Sequence, residues 1–232
     1  MNNERNLLIS LLKLSSTGKV SFENLQKDAK MCNAVITQLL HKLQSQKRIY
    51  LDADGITINE EQRLNLATQA VALGVDPQRV SNLLKWQEFE HVCALTLENN
   101  NYETLRNLRF THSNRRFEID IIGCKRPLVL CIDCKQWRHG LQGSRAETII
   151  TAQLARTMAL ADTLPNPAIK IECTKWSNAY FIPVVLSLTQ NTKKLLKGIP
   201  IVPVLQLQNF LQEVWAHMEE LAVISKKYAK LA

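Results

Sequence analysis

Phe110 to Arg138, FTHSNRRFEIDIIGCKRPLVLCIDCKQWR, is the stretch on which the reading of this chain turns. Its pattern predicts two strands joined by a turn. The first, Phe117 to Ile122, is rich in β-branched residues, and the second runs from Leu128 to Lys135. Gly123 to Pro127 carries the turn residues between them. Strand side chains alternate between faces, so Glu118, Asp120 and Ile122 share one side, and Asp133 and Lys135 share one side of the next strand. Leu128, Val129, Leu130, Cys131 and Ile132 read as buried, which makes the ionisable pair at the end of that run conspicuous. A carboxylate on one strand, with a carboxylate and a lysine on its neighbour, suits a divalent cation held beside an ammonium group.

The surrounding composition bears on this idea. Hydrophobic residues make up 46% and charged residues 22% of the 232, which fits a folded chain rather than a disordered one. The apolar runs are too short for a membrane span, and the N-terminus reads as an amphipathic helix rather than a signal peptide, so a cytoplasmic location is expected. The net charge of +8 is unevenly spread. Residues 1–76 carry 9 Lys/Arg against 8 Asp/Glu, whereas residues 101–145 carry 9 against 4. A positive surface enclosing a few acids suits a polyanion whose reacting phosphate is bridged by a metal. The CxxC formed by Cys131 and Cys134 does not suit zinc or redox chemistry, because strand positions three apart point to opposite faces.

Upstream, apolar periodicity predicts helices over residues 4–14, from a Ser21 N-cap, and over Asn33 to Gln46. Two short strands follow around Asp52-Ala53-Asp54-Gly55, a tight-turn signal. Three helices and a hairpin resemble a winged helix-turn-helix domain. Gln38 and Lys42 on the third helix are candidates for contact with nucleic acid, while Asp52 and Asp54 at the hairpin tip oppose it, so nucleic-acid contact and dimerisation both stand open. A helix over Glu60 to Gly74 closes a domain of residues 1–76. Residues 77–232 form a second, with a helix from Pro77 to Glu98, three strands, a helix from Ser144, two further strands, and a closing helix from Leu207 towards Lys230.

Glu90 on a helix, Asp120 after an apolar strand, and Asp133-Cys134-Lys135 ending the next together resemble the PD-(D/E)XK nuclease superfamily, which includes restriction endonucleases and archaeal Holliday-junction resolvases. The proline that names the motif is replaced by Ile119, and the Gln-x-x-x-Tyr of some members is only half matched by Gln153 and Thr157. The resemblance implies a restriction-endonuclease-like α/β/α sandwich with a mixed sheet, and Mg²⁺- or Mn²⁺-dependent hydrolysis of DNA phosphodiesters. It implies metal ligation by Asp120, Asp133, the Cys134 carbonyl and Glu90, with Lys135 placing the attacking water and stabilising charge. Arg109, Ser113, Arg115, Arg116, Gln136, Arg138 and Arg145 are the implied DNA contacts. The expected partner is duplex or branched DNA, with a homodimer for two-strand cutting and no membrane. Two other functions stand beside it: a non-catalytic nucleic-acid-binding regulator that keeps the fold, and an RNA-cleaving endonuclease.

Overall fold

The computed structural model describes residues 2–135, 143–187 and 194–228. The chain divides into two compact units, Met1–Glu88 and Phe89–Ala232. No helix among the described residues is long and apolar enough to cross a membrane.

The first unit consists of α1 (Asn2–Leu14), α2 (Phe22–Ala29), α3 (Asn33–Ser45), the hairpin β1 (Tyr50–Asp52) and β2 (Gly55–Thr57), α4 (Glu60–Ala72) and the short α5 (Pro77–Ser81). Leu7, Leu8, Leu11 and Leu12 of α1 are fully buried with Leu25, Leu40, Leu43 and Ile56. Each such side chain stabilises the fold by about 2 kcal/mol relative to exposure. Ser21 caps α2 by accepting from the Asn24 N–H, and Asn59 and Gln62 form a reciprocal capping box at the start of α4. Val20 exchanges two backbone hydrogen bonds with Ile56, adding a third short strand segment to the hairpin. That approach requires glycine at position 55, where φ is 138° and a Cβ would meet the Val20 carbonyl oxygen at 2.4 Å.

The pattern predicts one continuous helix over Pro77 to Glu98, but the structure breaks it into α5 and α6 (Trp86–Asn99). The cause is Glu88, whose carboxylate accepts the Lys85 N–H at 2.7 Å and thereby starts a new helix.

In the second unit, β3 (Glu103–His112), β4 (Arg115–Lys125) and β5 (Leu128–Lys135) form an antiparallel meander. After α7 (Gly143–Thr163) come β6 (Asn178–Ser187), β7 (Leu195–Leu196), β8 (Ile199–Pro203), α8 (Leu207–Glu213) and β9 (Ile224–Lys227). The seven strands make one mixed sheet, six of them in the order β3-β4-β5-β6-β8-β7 and β9 joined to β6 off this path, with β6 parallel to both β5 and β8. The expected long closing helix ends at Glu213 instead. Residues beyond it return as β9, which pairs antiparallel with the first half of β6.

Helices lie against both faces of the sheet. Ala159, Leu160, Ala161 and Leu164 of α7 share a core with Ile119, Ile122, Val129, Cys131 and Phe181. On the other face, α6 comes so close that a Cβ on Gly123 would meet the Leu97 Cδ2 at 3.0 Å. The chain is therefore an α/β protein with a helical N-terminal region followed by a helix-covered mixed sheet.

Candidate active site

The β4–β5 ladder ends at the pair Ile121↔Ile132, while β5 continues beside β6 as far as Lys135↔Ser187. Asp120 and Asp133 are the residues immediately past that last pair, where the two strands part. Asp120 Oδ2 accepts the Cys134 N–H at 2.7 Å, replacing the ladder bond that the parting strands no longer make. Asp133 is only 2% exposed. Its Oδ1 receives Lys135 Nζ at 2.9 Å and Arg156 Nη1, from α7, at 3.2 Å. Arg156 Nη1 also reaches Gln153 Oε1 at 3.4 Å, and buried Gln153 is anchored by donating to the Cys131 carbonyl at 2.7 Å.

Asp120, Asp133, Lys135 and Arg156 line a cleft of about 300 Å³ with Arg115, Arg116 and Glu118. Arg115 lies over the Phe117 ring at 5.1 Å, and that ring stacks on Phe110 with centroids 5.5 Å apart. The stack fixes the start of β4 beside the cleft.

Of the residues singled out in the sequence, the fold brings Asp120, Asp133, Lys135, Arg115 and Arg116 together in this cleft. Glu90, on α6, is not among the residues lining this cleft. The Cys134 thiol is buried beside the free thiol of Cys93, also on α6, which holds it well above the usual thiol range, and the charges of Asp120 and Glu90 push it the same way. Arg109 lines a neighbouring cleft and is ion-paired to Glu118 at 3.2 Å. Ser113 has a φ of 47° and, with Asn114 at 61°, makes the β3–β4 turn. Arg145 lies exposed near the start of α7. On α3, Gln38 is exposed and Lys42 is paired with Glu4 at 3.0 Å. Gln136 and Arg138 lie outside the described residues.

Arg156 and Gln153 carry contacts here that strand alternation does not reveal. The sequence signal for them is a polar stripe, Gln153, Arg156 and Thr157, at i, i+3 and i+4 on the helix. The CxxC is split as its spacing demands: Cys131 lies on the side of Thr157 of α7, and Cys134 on the side of Cys93 of α6.

Asp133 Oδ2 is a buried atom with no hydrogen-bond partner among the described residues. A desolvated carboxylate oxygen without a donor is costly, and a hard cation relieves that cost. Among the described residues no group of three or more His, Cys, Asp or Glu gathers to hold a metal. Two carboxylates at an open cleft fit Mg²⁺ or Mn²⁺, which retain water and take substrate oxygens, and do not fit a closed structural site.

The Asp120 carboxyl is held above its ordinary range, first by burial, with the charge of Asp133 adding to it. The Cys134 N–H, Lys135 and Arg156 act in the opposite direction. A carboxyl with a raised folded-state pKa makes the fold less stable as pH rises from the unfolded value, near 3.8, through the folded one. Asp120→Asn keeps an oxygen for the Cys134 N–H and removes the charge. It is expected to raise stability at pH 7 by about 1 kcal/mol, with the gain shrinking as pH falls through that window. Thermal unfolding at several pH values measures this, and a gain larger in acid than at neutrality would contradict it.

The family model described as nuclease-related domain (NERD) matches residues 85–226, more than half of the chain. Two solved structures are similar in part. One is protein VC1899 from Vibrio cholerae, at 13% identity and a TM-score of 0.41, covering 92% of this chain and 51% of that one. The other is a protein of unknown function, AF1548, at 15% identity and a TM-score of 0.32, covering 45% of this chain and 49% of that one. The chain thus spans about half the length of each. No curated protein matches it.

Proposed function

We propose that this chain, which belongs to the nuclease-related domain family, is a Mg²⁺- or Mn²⁺-dependent endonuclease that hydrolyses DNA phosphodiester bonds at the Asp120–Asp133–Lys135 cleft. The observation that carries this reading is the orphaned Asp133 Oδ2, buried beside a second carboxylate and a lysine at the parting of two strands. Asp120 and Asp133 hold the cation, with the Cys134 carbonyl as a third oxygen and Glu90 acting directly or through water. The chemistry a divalent cation supplies when bound there is polarisation of a phosphoryl oxygen and acidification of a water. Lys135 orients the attacking water and stabilises the charge that builds on the phosphoryl oxygens. Arg115 and Arg116, at the mouth of the same cleft, take the flanking phosphates. Duplex or branched DNA is the substrate, and a homodimer provides one site for each strand.

The N-terminal unit is read as a winged helix that targets the enzyme to DNA or pairs it with a second copy. The order α1-α2-α3-β1-β2 and the Val20–Ile56 bridge support this. Lys19 pairs with Asp52 at 2.6 Å and Asp54 at 3.7 Å, so the acids at the hairpin tip are partly neutralised and oppose a phosphate backbone less than their bare charges would.

The test is incubation with supercoiled, linear, branched and single-stranded DNA, and with RNA, in Mg²⁺, Mn²⁺ or EDTA. Cation-dependent nicking of DNA that Lys135→Ala lowers by about 10²- to 10³-fold is expected. Tight DNA binding without cleavage in either metal would leave a binding protein, and cleavage that persists in EDTA would exclude the cation.

A further inference from the structure

We propose that Arg156 is a phosphate-binding residue, held on Asp133 in the resting site and released onto the scissile phosphate when a cation enters. This rests on the metal-dependent reading above. Asp133 Oδ1 carries two cationic partners where one would compensate its charge: Lys135 Nζ at 2.9 Å and Arg156 Nη1 at 3.2 Å. Lys135 lies two residues along the same strand, so the strand itself brings the two side chains to one face. Arg156 reaches in from α7, and both contacts of its Nη1 are long, 3.2 Å to Asp133 and 3.4 Å to Gln153. Neither is the two-pronged fork that an arginine forms on a carboxylate it is built to keep. Its side chain is 27% exposed and lines the same cleft as Asp120, Lys135, Arg115 and Arg116.

The charges in the cleft make the exchange favourable. Arg115, Arg116, Lys135 and Arg156 against Glu118, Asp120 and Asp133 leave the cleft at +1, so a divalent cation raises it to +3. The Arg156 guanidinium is the member best placed to leave, because its contacts are the longest and its stem lies on a separate element. An incoming phosphodiester restores an anionic partner, and the planar guanidinium matches two phosphoryl oxygens. In this account Arg156 competes with the cation in the resting site and cooperates with it once substrate is bound. A purely structural arginine would do only the opposite of the first.

Mn²⁺ binding to the full chain, read by electron paramagnetic resonance without substrate, and single-turnover nicking of plasmid DNA at saturating Mn²⁺ separate the two roles. Arg156→Gln is expected to bind Mn²⁺ about threefold to tenfold more tightly, yet to nick about 10²-fold more slowly. Arg156→Lys keeps the charge, so it is expected to bind Mn²⁺ like the wild type and to nick about tenfold more slowly. If Arg156→Gln weakens Mn²⁺ binding in step with nicking, or leaves nicking unchanged, the proposal is overturned. Weaker Mn²⁺ binding by Arg156→Lys overturns it as well, which keeps the test decisive should the glutamine variant not fold. Failure of the wild type itself to bind Mn²⁺ would bring down the metal-dependent reading, and this one with it.

Discussion

Asp133→Asn is expected to lower DNA cleavage by at least about 10³-fold, the largest loss from any single change in the cleft. The substitution preserves shape and leaves one oxygen to accept from Lys135 and Arg156. What it removes is the negative charge between those two cations, and it replaces the orphaned Oδ2 acceptor with an amide or its equivalent. An amide oxygen is a far weaker ligand for a hard cation than a carboxylate. On the metal-dependent reading, loss of the cation would take with it the polarisation of the phosphate and the acidified water together, so the effect should exceed that of Lys135→Ala, which would leave the cation in place. Stability should change by only about 1–2 kcal/mol, because Lys135 and Arg156 are 29% and 27% exposed and water solvates the charges left behind. Nicking rates at saturating Mg²⁺, with thermal unfolding of the same protein, measure both. A folded variant retaining a tenth of the wild-type rate would show that Asp133 is not a ligand.

The juxtaposition of Asp120, Asp133 and Lys135 was legible because it follows from a local rule. Strand alternation alone puts Asp133 and Lys135 on one face, and the hairpin brings Asp120 opposite them. Arg156 was not legible in that way. It arrives from a helix that the chain reaches only after β5 has ended, and nothing in i, i+3 spacing says which strand a helix will cover. The two misread helices fail for a related reason. Residues 77–98 keep a helical apolar period throughout, and the new helix at Trp86 is set by the Glu88 carboxylate, which accepts the Lys85 N–H while it is held in place by distant Arg63. Residues 224–227 alternate in burial as a strand should, but their strand identity depends on β6, whose first half offers an open edge beside them. Periodicity finds elements that make their own hydrogen bonds and is weak where a partner distant in sequence supplies them.

The remaining large effect concerns which of two glutamates belongs to the site, Glu88 or Glu90, two residues apart on one predicted helix. Glu88 is 1% exposed and bonded to Arg63, itself 2% exposed. Arg63 also donates to the Leu12 carbonyl at 2.6 Å, the Leu83 carbonyl at 2.7 Å and the Ser15 hydroxyl, so its guanidinium gathers α1, α4 and the segment before α6 within the first unit. Removing one member of a buried pair strands the other charge without water. Glu88→Ala is therefore expected to destabilise the first unit by about 3–5 kcal/mol, measured by urea unfolding. The double variant Arg63→Met/Glu88→Leu should recover part of that loss, but not all, because the Leu12 and Leu83 carbonyls lose their donor. Glu90 bears electrostatically on Cys134, which lies between Asp133 and Lys135 on β5, so on the metal-dependent reading Glu90→Gln is expected to slow nicking at least tenfold, while Glu88→Gln lowers stability and leaves nicking of the folded protein unchanged. The reverse pattern, with activity lost at Glu88 and stability lost at Glu90, would move the helix-borne ligand by two residues. It would also require a site open to the buried Arg63, and the burial of both partners in that pair argues against one.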